Sequence, residues 1–190
     1  MNLTLVQEAY DIIYCDPPWP HYGDPNKNAA AGKHYALMAM EELEALPVRS
    51  LFRKEGALFM WATCPRLDLA IDLIRAWDMH YRGVAFVWVK TTKNGVPIGA
   101  QGIPPTAVKP TTELCLVATT CKTGRPFPLL DASVPQTVFA PRTRHSEKPA
   151  VVRDRIVKLY GDRPRLEMFA RTAPPGWDTF GLEAPPAVLP

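Results

Sequence analysis

The chain has 190 residues, of which 47 % are hydrophobic, and its formal net charge is +3. This length and composition are typical of one globular domain with its own core, and they exclude a largely disordered chain. No apolar run reaches the roughly 18 residues needed to cross a bilayer, and the acidic amino-terminal stretch is not typical of a secretory signal, so we expect a cytoplasmic protein that does not bind membranes. The four cysteines form no Cys-x-x-Cys pair, which indicates reduced thiols and no metal site.

Short apolar runs predict the strands of a sheet. A first run is stopped by a Pro-Pro pair, and similar runs recur along the chain, so that strands are predicted at 10–15, 56–61, 84–89, 114–118, 136–140 and 166–170. The runs show little alternation of apolar and polar residues, as expected of strands buried on both faces. Separated by helices and long loops, they predict an α/β sheet that is covered on both sides.

Helical spacing of apolar residues predicts two main helices. The first covers 66–78, and its apolar face is formed by Leu67, Ala70, Ile71, Ile74 and Trp77. The second is predicted to start with Ser146 as its N-cap, to hold Pro149 in its first turn and to end at Gly161. A short helix is predicted over 41–46.

Three stretches without any period are predicted as loops, at 20–36, 91–111 and 121–135. Segments interpreted as loops also hold a set of cations with few acids between them, namely Lys90, Lys93, Lys109, Lys122, Arg125, Arg142 and Arg144. Such cations either line one electropositive face or are simply solvated, and composition alone does not distinguish the two.

Two candidate sites follow strands. In open α/β sheets, ligands bind at the carboxyl ends of the strands. Asp16 follows the first predicted strand, and Arg171 follows the last. If these two strands are neighbours in the sheet, both loops open into one crevice.

The segment Asp16-Pro17-Pro18-Trp19 combines rigid hydrogen-bond acceptors with an aromatic plane. The Asp16 carboxylate only accepts hydrogen bonds, and the prolines fix φ and lack an N–H, so that the Pro17 carbonyl can face the crevice. Trp19 adds a large flat surface. Two rigid acceptors beside an aromatic plane predict a receptor for a flat ring that carries an NH2 group. Acceptance of both amine hydrogens would free the nitrogen lone pair for in-line attack.

This segment resembles the catalytic motif of the adenine amino-methyltransferases, in particular the family of the eukaryotic messenger-RNA adenine methyltransferase and its bacterial and phage relatives. Further blocks similar to that family follow in its order, covering residues 10–183: His34-Tyr35 with Met38, 84–90, 112–116, 145–149, 167–171 and 176–181. The resemblance implies a single-domain, circularly permuted, Rossmann-like methyltransferase fold with a mostly parallel sheet and helices on both faces. The domain would cover 1–183, and the Pro/Ala-rich tail at 184–190 is expected to be loose.

The resemblance also implies roles for individual residues of the motif. Asp16 and the Pro17 carbonyl would grip the target adenine amine, with Pro18 completing the rigid turn. Trp19 would stack on the base or wall it. Asp16 would also lie near the methionine amino group of the cofactor, S-adenosylmethionine.

A second set of residues would hold that cofactor. Lys148 would meet the cofactor's carboxylate, and Glu167 and Arg171 would line its ribose and methionine part. Leu182 stands where the family usually has Asn, so Glu183 or another group would have to contact the adenosine. Either this change or the short stretch before Tyr10 could weaken cofactor binding.

For the substrate, the resemblance implies adenine in a nucleic acid. His34 and Tyr35 would belong to the active-site loop over the base, and phosphates would be tracked by Lys90, Lys93, Arg142 and Arg144, together with the loop at 121–125. We expect DNA, with single strands or disrupted duplexes reacting more easily because the base must leave the stack.

Several alternatives stay open at this point. RNA is the alternative nucleic acid, and a small substrate is favoured only if the basic loops prove irrelevant. A catalytically weak nucleic-acid-binding partner subunit is the alternative of another class, which Leu182 favours and the intact catalytic motif opposes. Glu113, an acid in a buried-looking strand, either supports the site or anchors the basic loop before it. A monomer or weak homo-oligomer is expected, in a bacterial host cell if a phage encodes it.

Overall fold

Seven strands form one sheet within the part of the chain that the structure describes. The computed structural model describes residues 7–19, 37–99, 108–143 and 147–181. The strands are β1 (Tyr10–Cys15), β2 (Phe52–Thr63), β3 (His80–Thr91), β4 (Thr112–Thr119), β5 (Thr137–Pro141), β6 (Arg165–Met168) and β7 (Asp178–Phe180). Their order across the sheet is β5-β3-β4-β2-β1-β6-β7.

Helices cover both faces of this sheet. The helices are α1 (Met40–Glu44), α2 (Val48–Leu51), α3 (Leu67–Ala76) and α4 (Ala150–Tyr160), with a short 3-10 turn at Cys64–Arg66. Leu58 and Met60 of β2 pack in one core cluster with the apolar side of α3, whereas Phe59 and Trp61 pack in a second cluster with α4. Because neighbouring residues of a strand point to opposite faces, α3 and α4 lie on opposite sides of the sheet. The predicted fold class is confirmed.

The direction of β4 decides which residues share an edge of the sheet. Four neighbouring pairs of described strands are parallel (β1 with β2, β1 with β6, β3 with β5, β6 with β7), and β4 runs antiparallel to both β2 and β3. The sheet is therefore mostly parallel, as predicted. Since β4 is reversed, its first residues lie where its neighbours end, and Glu113 pairs with Thr63, the last residue of β2.

The predicted strands are all present, and β1 has the predicted bounds. β2 and β3 are longer than their apolar runs, at 12 residues each. Their additional residues are mostly polar and carry no hydrophobic signal. β7 and α2 were not predicted, because elements of 3 and 4 residues are too short to show a period.

Two details of the predicted elements are wrong. The run 84–89 was expected to be fully buried, but only Phe86 and Trp88 of that run are buried, as expected beside the edge strand β5. The N-cap of α4 is Pro149 and not Ser146. The residue before a proline is driven away from helical φ and ψ, so a helix resists starting ahead of Pro149.

Within the described ranges, no helix is long and apolar enough to cross a bilayer. Cys15 and Cys115 are buried, whereas Cys121 is half-buried and Cys64 is exposed beside the end of β2. The proposed tail at 184–190 lies outside the described residues.

Candidate active site at the carboxyl edge of the sheet

The candidate site lies where β1 and β6 end side by side. These strands pair in parallel, with Cys15 opposite Met168. The residues that follow, Asp16 and Phe169, therefore leave the sheet at the same edge. The sequence predicted a single crevice here if the two strands were neighbours, and the structure meets that condition.

The Asp-Pro-Pro-Trp segment is anchored through its last two residues. The Pro18 carbonyl accepts a hydrogen bond from the Met38 amide at 2.9 Å. Trp19 is only 7 % exposed and packs into the core cluster that contains α3. Among the described residues, the Pro17 carbonyl accepts no main-chain hydrogen bond. The segment is thus anchored through Pro18 and Trp19, and Asp16 and Pro17 lie before those anchors.

Asp16 is one end of a chain of alternating charges that continues through Lys148, Glu113 and Lys90. Lys148 Nζ donates to Asp16 Oδ2 at 2.6 Å and lies 3.3 Å from Glu113 Oε2. Lys90 Nζ donates to the other oxygen of Glu113 at 2.5 Å. The side chains of Lys148 and Glu113 are 8 % and 11 % exposed, whereas that of Asp16 is 33 % exposed. One end of the chain, Asp16, therefore faces solvent, while its middle is buried.

An indole floor supports the two ammonium groups. Lys148 Nζ lies 5.7 Å from the ring centroid of Trp61, and Lys90 Nζ lies 5.3 Å from that of Trp88. The two indoles meet edge to face at 6.1 Å, and Trp61 Nε1 donates to the Tyr14 hydroxyl at 2.6 Å. Ring faces of this kind attract cations, so the floor stabilises both lysines as charged groups.

Burial and mutual charge set the protonation of this chain. Burial raises the pKa of Asp16, against the opposing charge of Lys148, and the exposed third of the side chain lets water moderate that effect. Burial acts to lower the pKa of Lys148, but the two neighbouring carboxylates outweigh it, and the pKa is raised. Burial acts to raise the pKa of Glu113, but Lys148 and Lys90 outweigh it, and the pKa is lowered. Glu113 and Lys148 are therefore both charged at neutral pH.

Glu167 occupies the neighbouring strand of the same edge. It lies on β6, and both of its carboxylate oxygens are 3.2 Å from Arg153 of α4. Burial raises the pKa of Glu167, with Arg153 opposing. Arg171 is half-buried, and its charge acts on Asp16. Phe169, between them, has a φ of 60°, a conformation that bulky residues rarely adopt, so the chain turns sharply beside the site.

The cations predicted to contact phosphate fall into separate places. Lys93 and Arg142 are exposed and follow β3 and β5 at the edge that carries Asp16. Lys90 was expected in a loop, but it lies in β3 and is paired with Glu113.

The loop at 121–125 was expected to track phosphate together with the other cations, but it lies at the opposite edge from Asp16. It follows β4, and the reversed direction of that strand carries Lys122 and Arg125 away from the site. The 8 residues of β4 separate the two edges by roughly 27 Å.

Four of the predicted site residues lie outside the described residues: His34, Tyr35, Arg144 and Glu183. The sequence also left the role of Glu113 open between supporting the site and anchoring a loop. The structure brings it into direct contact with Lys148, and the missing signal was the direction of β4. Arg153 was not predicted as part of the site, because its helix position shows only a polar face.

The sheet order, the helices on both faces and the acidic motif at the carboxyl edge define a Rossmann-like methyltransferase fold. The chain belongs to the MT-A70 family, whose model matches residues 10–183. The family of adenine methyltransferases that the motifs predicted is thereby confirmed.

Three relatives illustrate the range of this family. The chain is 33 % identical to the type II methyltransferase M.MunI of Mycoplasma sp, with 95 % of this chain and 80 % of that protein aligned. It is 28 % identical to the human N(6)-adenine-specific methyltransferase METTL4, with 95 % of this chain but only 39 % of the relative aligned. It is 29 % identical to the N6-methyladenosine RNA methyltransferase MTA1 of Pyricularia oryzae, with 93 % and 48 % aligned. The chain thus spans most of the first relative and less than half of the other two.

Proposed function

We propose that this protein transfers a methyl group from S-adenosylmethionine to the exocyclic N6 amine of adenine in DNA. The observation that carries the proposal is the Asp16 carboxylate at the carboxyl edge of β1, held by an anchored Pro-Pro-Trp turn. Family membership and the relatives named as N6-adenine methyltransferases support the reaction type.

The charged groups of the site fit the proposed cofactor. A carboxylate and an ammonium 2.6 Å apart are complementary to the two charges of an α-amino acid. Lys148 and Arg171 would hold the carboxylate end, Asp16 would face the amino group, and Glu167 would accept hydrogen bonds from the ribose hydroxyls. Glu183 remains the proposed contact to the adenosine. When bound, S-adenosylmethionine supplies an electrophilic methyl group.

The residues of the motif orient the attacking nitrogen. The Asp16 carboxylate and the Pro17 carbonyl accept the two amine hydrogens, which points the nitrogen lone pair at the incoming methyl group. After transfer, the methylated nitrogen carries an extra proton, and the Asp16 carboxylate takes it up and passes it to the solvent that reaches this side chain. Trp19 is buried, so it contributes as a fixed wall beside the base.

DNA is the preferred substrate, with the target base out of the stack. Exposed Lys93 and Arg142 follow strands that end at the same edge as β1 and would suit phosphate contacts. Arg144 is proposed for the same role. His34 and Tyr35 keep their proposed place over the base. The chain matches M.MunI over most of that protein, whereas the RNA methyltransferase MTA1 has as much again outside the matched part. RNA remains the second candidate because the chain also matches MTA1.

The test is methyl transfer from labelled S-adenosylmethionine to single-stranded DNA, duplex DNA and RNA of one sequence. We expect methyladenine in DNA and a loss of at least about 100-fold in rate for Asp16→Ala. Asp72→Ala is the matched control, because Asp72 is an exposed acid that pairs only with Arg75 among its described contacts on α3. Equal rates for the two variants would overturn the role of Asp16.

Each substrate outcome has a distinct meaning. Methylation of RNA alone would replace the proposed substrate. Binding of S-adenosylmethionine and nucleic acid with no transfer to either polymer would indicate a binding subunit in place of an enzyme.

A further inference from the structure

Lys148 is shared between two carboxylates, and only one of them belongs to the motif that grips the amine. Its Nζ lies 2.6 Å from Asp16 and 3.3 Å from Glu113, whose other oxygen is held by Lys90 at 2.5 Å. We infer that the Lys90–Glu113 pair is a positioning device that receives Lys148 when it leaves Asp16, so that binding of the methyl donor strengthens binding of the target amine. This inference rests on the proposed function.

The first step is that Lys148 and the target amine compete for Asp16. An ammonium on Oδ2 withdraws electron density from the carboxylate and occupies one of its acceptor positions. The amine is a neutral donor and the ammonium a charged one, so the ammonium is the stronger competitor. Asp16 is therefore partly blocked while Lys148 rests on it.

The second step is that Lys148 has a second position ready beside it. Glu113 Oε2 is already 3.3 Å away, so a shift of Nζ by well under the length of one bond turns this contact into a close hydrogen bond. The Trp61 ring beneath Nζ supports a cation at either carboxylate. The anionic carboxylate of the methyl donor, placed near Lys148, biases it away from Asp16.

The third step concerns Lys90, which tunes how strongly Glu113 attracts Lys148. With Lys90 on Oε1, the charge of Glu113 is partly neutralised, and Lys148 stays with Asp16 in the structure. Without Lys90, Glu113 would attract Lys148 fully even before the donor binds. Without the charge on Glu113, Lys148 would stay with Asp16 even after the donor binds.

The experiment measures binding and no turnover. A fluorescent single-stranded oligonucleotide with adenine as its only purine is titrated with protein, with and without saturating S-adenosylhomocysteine, and the same is done in an RNA version. For the wild type we expect affinity about tenfold tighter with S-adenosylhomocysteine present, within the usual range of coupling between two sites. A control oligonucleotide carries the unsubstituted base purine at each adenine position. It lacks the 6-amino group and should show no such gain.

Two variants should lose the coupling in opposite ways. Glu113→Gln should bind the oligonucleotide weakly in both conditions, and Lys90→Met should bind it tightly in both, each with less than about twofold change on adding S-adenosylhomocysteine. Lys93→Met is the control for Lys90→Met, because it removes an exposed lysine from the same edge and should lower affinity equally in both conditions. General structural damage would not make one variant bind the oligonucleotide weakly and the other tightly.

The outcomes distinguish this inference from the proposed function. Failure of the wild type to bind S-adenosylhomocysteine would overturn both. Binding without a gain for the adenine oligonucleotide, or a gain of equal size with purine, would overturn this inference alone. Full coupling in folded Lys90→Met would also overturn this inference alone. If Glu113→Gln fails to fold, Lys90→Met still provides the test.

Discussion

Replacement of Lys148 by methionine tests whether the buried charges stabilise the fold through this one ammonium. Methionine keeps the length of the side chain and removes the charge. The variant leaves Asp16 and Glu113 without the cation that lies between them.

The expected loss follows from the burial of each partner. Removal of one member of a buried ion pair costs about 3 to 5 kcal/mol. Glu113 is 11 % exposed and would approach that range, but Lys90 still neutralises it at 2.5 Å. Asp16 is 33 % exposed and can be solvated. We therefore expect a decrease of about 2 to 3 kcal/mol in the free energy of unfolding at neutral pH, or roughly 5 to 10 °C in Tm.

The loss should depend on pH in a defined direction. Lys148 is one cause of the lowered pKa of Glu113 and opposes the raised pKa of Asp16, so its removal raises the pKa of both in the folded state. When the pKa of a carboxyl is higher in the folded than in the unfolded state, the folded protein loses stability as the pH rises through the folded pKa. The deficit of the variant should therefore be smallest below the ordinary values of 3.8 and 4.5 and grow towards neutral pH.

Urea unfolding of wild type and variant across this pH range gives the measurement. Lys158→Met is the control, since Lys158 is 64 % exposed, pairs with Asp131 at 3.1 Å and should cost less than about 1 kcal/mol. A Lys148→Met deficit no larger than that of the control, or one that stays constant with pH, would refute this account of the charge chain.

Three further predictions concern other parts of the fold. Gly181→Ala should cost about 1 to 3 kcal/mol in urea unfolding, because a Cβ there would lie 2.1 Å from a main-chain oxygen in the turn after β6; a change within error would contradict that close packing. Trp61→Phe should cost about 2 to 3 kcal/mol by the same measurement, since it leaves a cavity and removes the 2.6 Å hydrogen bond to Tyr14. Ser133→Ala should raise the pKa of Asp131 from about 2 in an NMR titration, because the side-chain and main-chain hydrogen bonds from Ser133 are its main causes; an unchanged titration would exclude the hydroxyl as a cause.

The local features of the site could be predicted from the sequence. β1 is found at the predicted bounds, because an apolar run stopped by two prolines is a strong signal for a buried strand end. The acceptor chemistry of Asp16 and Pro17 follows from residue type alone. The family was predicted from blocks that keep their order along the chain, and its model matches residues 10–183.

Features that depend on the direction of a strand could not be predicted in this way. Apolar runs indicate that β4 exists but not that it runs against its neighbours. That reversal places Glu113 beside Lys148 and carries Lys122 to the opposite edge. Lys90 was likewise expected in a loop, but β3 extends past its apolar run and includes Lys90, which pairs with Glu113.

Residue type and order along the chain thus determined the fold class, the first strand and the acidic motif, because these depend on short-range propensity and on the chemistry of single side chains. Tertiary structure alone decided that Asp16, Lys148, Glu113 and Lys90 form one chain of charges. These residues come from segments that are far apart in sequence, and their contacts depend on strand order and direction. Those properties are set by packing of the whole sheet, which no local pattern records.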